Sequence, residues 1–206
     1  MKLKEALKKS WYFLWKDDSL KGWLISIIIL FLFIKLIFFP VLGLVTGTQL
    51  PLVIVESCSM YHAEAPYFTS FNNWWIKQET KYSKFEIQEQ EFKSFSMKNG
   101  FNKGDILFVT KATPEKLEIG DVIIFQSTQK NPIIHRIISI EKNNGKYTFA
   151  TIGDNNKGQL NFEKNIGQDQ LIGKANFLLA PYLGWGKLIF YDWKNPTSQK
   201  GGCHLN

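Results

Sequence analysis

Three short stretches of the chain hold residue types that can break an amide bond. Ser57-Cys58-Ser59-Met60 closes an apolar run, His135 lies in Pro132-Ile133-Ile134-His135-Arg136, and Asp154 follows Thr151-Ile152-Gly153. A serine on the turn after a strand can project its hydroxyl into a cleft while neighbouring backbone N–H groups face the same space, as a developing oxyanion requires. Neutral imidazole is the side chain best matched to take a serine proton near pH 7. His62 follows the serines too closely to fold back readily and His204 lies near the chain end, so elimination leaves His135 as the base. A carboxylate such as Asp154 can hold the imidazole tautomer and stabilise its charged form. Each stretch also has a plain alternative. Serines are common in turns, a histidine among isoleucines is commonly a hydrogen-bonded core residue, and Asp-Asn-Asn makes an Asx-turn in any protein. Cys58 is a rival nucleophile, thiolates being intrinsically stronger. On a strand its side chain points opposite to Ser57 and Ser59, so only one set can face a cleft.

The elements that must position these residues read as strands. Leu52–Glu56, Asp105–Thr110, Asp121–Gln126, Ile133–Ile140, Lys146–Thr151 and Leu171–Leu178 are short, rich in β-branched and aromatic residues, and bounded by turn signals. Asn143-Asn144-Gly145 is a hairpin turn candidate. Gly104-Asp105 and Gly120-Asp121 open strands after turns, whereas Gly153-Asp154 is followed by Asn155-Asn156 and no strand. The segment 62–99 lacks period-2 alternation, and the capping-box spacing of Ser83 and Glu86 predicts a helix from about Lys84 to Phe95. Trp74 and Trp75 either pack under this insertion or dip into lipid headgroups. The fold class expected is mainly β, with a small helical insertion.

The 206 residues are 45% hydrophobic and 15% aromatic, ample for a core. The net charge of +7 resembles a nucleic-acid signal only until it is located. Lys2, Lys4, Lys8, Lys9, Lys16 and Lys21 precede a run from Gly22 to Thr46 whose only charge is Lys35, and Arg136 is the sole arginine beyond it. That is a membrane flank and not a phosphate-binding face. The run is long enough to cross a bilayer as a helix. Lys35 and Pro40 favour a span over Trp23–Phe39, with the chain after Pro40 following the membrane surface. No Lys or Arg occurs between Gly47 and Ile76, so the positive-inside rule leaves the N-terminus in the cytoplasm and exports the rest across the plasma membrane. The organisation read from this is a cytoplasmic segment 1–21, an anchor 22–46, a β-rich catalytic domain 47–194 and a C-terminal tail 195–206. Leu178–Trp193 is apolar enough to lie on an interface, though Pro181 and two glycines interrupt it. Two cysteines and no C-x-x-C spacing predict neither a metal site nor a cofactor. Both are expected as free thiols, because a bridge at the serine turn would block the cleft.

In order along the chain, a single N-terminal anchor, V-x-S-x-S-M, G-D-V-I-I-F leading to P-I-I-H-R, and T-x-G-D-N-N resemble type I signal peptidase. Histidine in place of lysine resembles the archaeal and endoplasmic-reticulum branch. Asn102-Lys103-Gly104-Asp105 and Ala180-Pro181-Tyr182-Leu183-Gly184 resemble archaeal members, and the match runs from about Leu20 to Leu188. The resemblance implies a membrane-bound serine endopeptidase acting on signal-peptide-bearing preproteins, with Ser59 as nucleophile, His135 as general base and Asp154 as its acid partner. It implies an oxyanion hole from Ser59 with Ser57, and an extended substrate beside Val53, Val55 and Met60. The partners implied are preproteins, the lipid bilayer and the protein export channel. Three positions depart from the family pattern. Cys58 stands where glycine is usual, Ile152 where lysine is common, and Leu160 where relatives carry a second aspartate, with Glu163 and Asp169 further on. A membrane-tethered, non-catalytic peptide-binding β module and a thiol protease using Cys58 are the competing readings.

Overall fold

The computed structural model describes Glu5, residues 19–62 and 71–194, and Cys203. Most of segment 1–21, residues 63–70 of the insertion and all of the tail except Cys203 lie outside the described residues, as does His204. The chain divides into two compact units, Met1–Val45 and Thr46–Asn206.

Helix α1, Leu20–Thr46, has 27 residues and a mean hydropathy of 2.8. Among the described residues it is the one helix long and apolar enough to cross a membrane. Ser19 caps it, its Oγ accepting the Gly22 N–H at 3.0 Å. The break expected at Pro40 does not occur. Residues Ile34–Phe38 widen into a π-helical turn, in which Phe39 donates to Ile34 five residues back. That change of register accommodates the proline, which has no N–H to give, and the helix runs on to Thr46.

The second unit is built on one antiparallel sheet of seven strands among the described residues. They are β1 (Leu52–Ile54), β2 (Ile106–Thr110), β3 (Val122–Phe125), β4 (Ile133–Asn143), β5 (Lys146–Ile152), β6 (Ile166–Gly167) and β7 (Leu171–Ala180). Their order is β1-β2-β7-β3-β4-β5-β6, so among the described residues β1 is an edge strand paired with β2 alone. Every residue of β3 is buried. Val122 and Ile124 pack with Val55, Leu107 and Val109 on one side, while Ile123 and Phe125 pack with Ile137, Phe149 and Ile166 on the other. A continuous apolar run bounded by turns is what a strand covered on both faces requires. The β4–β5 hairpin turns at Asn144 and Gly145, both with positive φ, a conformation that asparagine and glycine tolerate best.

The insertion differs from expectation. Its main helix is α2, Phe71–Tyr82, followed by a 3-10 turn at Ser83–Phe85 and a single helical turn, α3, Glu89–Phe92. Ser83 does not open a helix: its hydroxyl donates to Thr80 O at the end of α2, and Glu86 takes a left-handed conformation with φ 62° that ends the turn. Trp74 and Trp75 are buried with Tyr82, Phe92 and Ile138, so they pack the insertion against the sheet and do not reach headgroups. After β7, Ala180 leads to α4, Trp185–Lys194, which buries Leu188 and leaves Ile189, Phe190 and Trp193 exposed.

Candidate active site

Val55 continues β1 by exchanging backbone hydrogen bonds with Asp105 and Gly104, each at 2.9 Å. The chain then turns through Ser57-Cys58-Ser59-Met60, closed by Tyr61 N–H to Cys58 O at 3.2 Å. Ser57 is exposed and Ser59 half-buried, with their hydroxyls 3.1 Å apart. A second loop holds this turn. Asn155 donates its backbone N–H to Ser59 O at 2.7 Å and its side-chain Nδ2 to Cys58 O at 3.1 Å. Both carbonyls of the nucleophile candidate's turn are thereby tied to one residue.

His135 lies mid-sheet, opposite Ile123 on β3. Its Nδ1–H donates to Glu163 Oε1, and Glu163 is fully buried. Glu163 is fixed in turn by the Leu160 N–H on Oε2 at 2.7 Å and by Thr151 Oγ1 at 3.4 Å. In a neutral imidazole that bond selects the tautomer whose lone pair is on Nε2. Nε2 rests against Gly153. A Cβ built on Gly153 would stand 2.9 Å from it and 2.5 Å from Asn156 Nδ2, so only glycine leaves the imidazole its place. The Gly153–Asn155 loop therefore touches His135 at one end and Ser59 at the other.

Both residues line one cleft of about 900 Å³. Val53, Val55 and Ser59 line it together with Asn131, Ile134 and His135. Among the described residues no hydrogen bond joins Ser59 Oγ to His135: the serine hydroxyl meets Ser57 and the imidazole meets Glu163.

Asp154 does not sit where the sequence suggests. Its carboxylate receives Arg136 Nε at 3.0 Å and Nη2 at 2.7 Å, the Tyr82 hydroxyl at 2.7 Å, and His62 Nε2 at 2.7 Å. Residues 135 and 136 are neighbours on a strand and face opposite sides of the sheet. Asp154 follows Ile152, the partner of Arg136, and takes that side, while Glu163 reaches the His135 side. Burial alone would raise the Asp154 carboxyl, but the Arg136 guanidinium and the His62 hydrogen bond outweigh it and hold the group well below the usual carboxylate range. Burial lowers His62 more than Asp154 raises it, so His62 is a neutral donor, stacked on Trp74 with ring centroids 3.7 Å apart. Burial also lowers Lys81 to about 8. Its Nζ donates to Asp154 O at 2.5 Å and Asn156 O at 3.1 Å. The helical insertion thus clamps the loop that carries the site.

Two further expectations change. Met60 is not a cleft residue: it is 1% exposed, packs in the core with Val55 and Phe101, and its Sδ accepts the Asp154 N–H at 3.4 Å. Cys58 is not a free thiol. It is bonded to Cys203, with Cα atoms 5.3 Å apart, and the cleft that Ser57, Cys58 and Ser59 line is open nonetheless. A bonded sulfur is not available as a nucleophile.

No family model matches the chain. Over 107 residues it is 35% identical to the signal peptidase complex catalytic subunit SEC11C of Homo sapiens, and to that of Mus musculus, covering 48% of this chain and 55% of the relative. It is 31% identical over 107 residues to the putative signal peptidase complex catalytic subunit SEC11B of Homo sapiens, covering 48% and 64%. Over 68 residues it is 38% identical to the signal peptidase complex catalytic subunit SEC11 of Lachancea thermotolerans, covering 32% and 40%. The match spans about half the length of the first of these relatives. The relatives are catalytic subunits of signal peptidase complexes, in agreement with the resemblance carried by the motifs.

Proposed function

We propose that this chain, a relative of the signal peptidase catalytic subunits, is a membrane-anchored serine endopeptidase that removes N-terminal signal peptides from secreted and membrane preproteins. One observation carries the reading. Ser59, on the turn after an open-edged strand, and His135, oriented by a buried carboxylate, converge on one cleft and on one loop.

The preprotein lies extended along β1, whose outer edge has no strand partner among the described residues, and main-chain hydrogen bonds hold it while Val53 and Val55 contact its side chains. Ser59 Oγ attacks the scissile carbonyl as His135 Nε2 takes the hydroxyl proton. The imidazolium that forms keeps its Nδ1–H on Glu163, a positioning residue that stabilises the charge without taking the proton. The Ser59 N–H, helped by the Ser57 hydroxyl, receives the oxyanion. Collapse expels the amine of the mature protein, which leaves with the proton from Nε2. Water, deprotonated by the same nitrogen, then hydrolyses the acyl-enzyme and frees the signal peptide's carboxylate.

Helix α1 and the exposed Leu183, Ile189, Phe190 and Trp193 support the bilayer as a partner. The lysines before α1 support export of the catalytic unit. The membrane is the one its substrates cross, and the eukaryotic relatives support the endoplasmic reticulum over the plasma membrane expected from the sequence. The test is cleavage of a preprotein by the full chain in detergent, with the new N-terminus sequenced. Ser59→Ala and His135→Ala should each abolish cleavage while circular dichroism stays unchanged. Normal cleavage by either variant refutes the assignment.

A further inference from the structure

The residue between the two serines is covalently tied to the far end of the chain. Cys58 and Cys203 are 145 positions apart in sequence and joined by a disulfide. Cys58 is 3% exposed, whereas Cys203 is only partly buried. The turn that presents Ser59 is therefore held by covalent as well as hydrogen bonds. Asn155 holds it by its carbonyls at Ser59 and Cys58, and Cys203 holds it through the Cys58 side chain.

We infer that the Cys58–Cys203 bridge is a thiol–disulfide exchange site that sets the activity of Ser59, and that its reaction partner is a dithiol, either a small molecule or a dithiol oxidoreductase. The inference rests on the peptidase reading above. Exchange starts at Cys203, the more exposed of the two residues. A thiolate of the partner attacks Cys203 Sγ, the Cys58–Cys203 bond breaks, and Cys58 leaves as a thiolate that takes up a proton. The partner's second thiolate attacks its own sulfur in the mixed disulfide and releases Cys203 as a thiolate, which is also protonated. The enzyme gains two electrons and two protons, and the partner ends as a disulfide.

Reduction removes the covalent tether at Cys58, between the two serines, and leaves the turn to Asn155 and to Met60, whose O accepts the Phe101 N–H at 3.0 Å. Nucleophile placement is steep in its effect, since a misplacement of about 1 Å can cost on the order of 100-fold in rate. The oxidised form is the competent one. Disulfides persist outside the reducing cytosol, so the bridge makes full activity conditional on the domain having been exported. The rest of the site does not pass through this bond: the His135–Glu163 pair and the open edge of β1 are independent of it. The bridge should accordingly act on the chemical step and leave substrate binding alone.

The experiment uses the full chain in detergent, equilibrated with mixtures of reduced and oxidised dithiothreitol well below its melting temperature. Intact mass reports the bridge, circular dichroism the fold, and preprotein cleavage kcat and KM. Wild type should lose roughly tenfold in kcat on reduction, a loss of that size being well within what misplacement can cause. KM should move less than twofold, and kcat should follow the fraction of bridge with a single midpoint. Cys203→Ser should sit at the reduced level at every mixture, and Cys58→Ser/Cys203→Ser with it. Should the single variants fold poorly, reduction of folded wild type gives the same comparison. Unchanged kcat in enzyme shown by mass to be reduced overturns the inference while leaving the peptidase intact, as does an equal response in Cys203→Ser. Absence of cleavage in every redox state removes the peptidase reading and this inference with it.

Discussion

His135 and Arg136, adjacent on one strand, bind different carboxylates on opposite faces of the sheet: Glu163 on one side, Asp154 on the other. This division separates chemistry from architecture. Glu163 touches the imidazole in the cleft. Asp154 closes a buried network with Arg136, Tyr82 and His62 that fastens the insertion to the sheet.

Substituting the two acids should therefore fail in different ways. Glu163→Gln keeps the shape but presents an amide to Nδ1, and kcat should fall about 10²–10⁴-fold with the melting temperature little changed. Asp154→Asn leaves Arg136 buried without its counter-charge and should cost about 3–5 kcal/mol of stability. Kinetics and denaturant titration on both variants check this. The reverse pattern, with Glu163→Gln unstable and Asp154→Asn stable but inactive, would restore Asp154 as the acid.

Asn155→Ala removes the Nδ2 bond to Cys58 O and keeps the backbone bond to Ser59. The expected loss of stability is about 1 kcal/mol, as for a single hydrogen bond, with a larger relative fall in kcat than rise in KM. Steady-state kinetics with a preprotein separates the two.

Gly153→Ala would bring a methyl group to 2.9 Å from His135 Nε2. The Asn156 amide and the imidazole must both give way, and kcat should drop by about tenfold or more while the KM changes little. An unchanged kcat would mean that Nε2 does not need its position.

Stability should fall with acid in two stages. Burial holds His62 below 6.5 in the folded state, so between its folded value and 6.5 the unfolded chain binds more protons. Its contribution is full above about pH 6.5 and is lost as pH drops through the folded value. Asp154, depressed below 3.8, adds a second loss that starts near that pH and extends to stronger acid. Urea midpoints measured from pH 8 to 3 should show both limbs, and His62→Gln should remove the first. A midpoint constant from pH 7 to 4 would contradict the network.

The sheet was legible because its strands announce themselves: Val122–Phe125 is an uninterrupted apolar run between turns, and Asn144-Gly145 supplies the hairpin's positive φ. Ser59 and His135 stood out as the hydroxyl and imidazole with motifs around them. Other features depended on tertiary placement that local patterns do not encode. Glu163 closes a 3-10 turn, and nothing in Asn161-Phe162-Glu163 reveals that the turn folds back under β4. The alternation of Arg136 against His135 was readable from the strand, and it was the available signal that Asp154, paired beside Arg136, would face away. The helix expected after Ser83 failed because the same residues equally well end a helix, and Phe71–Tyr82 fills the space first. The Cys58–Cys203 bond spans 145 positions, a separation no spacing rule reaches. The resemblance implies Met60 beside the substrate, whereas the turn rotates it into the core.

The central claim is that Ser59 Oγ is the attacking atom and His135 Nε2 its base. A peptidyl phosphonate with small residues before the phosphorus, incubated with the full chain and followed by peptide mass spectrometry, tests it most directly. The adduct should form on Ser59, and His135→Ala should slow labelling by on the order of 10³-fold or more. Labelling of Ser57 instead, or labelling of Ser59 at the same rate without the imidazole, would contradict it.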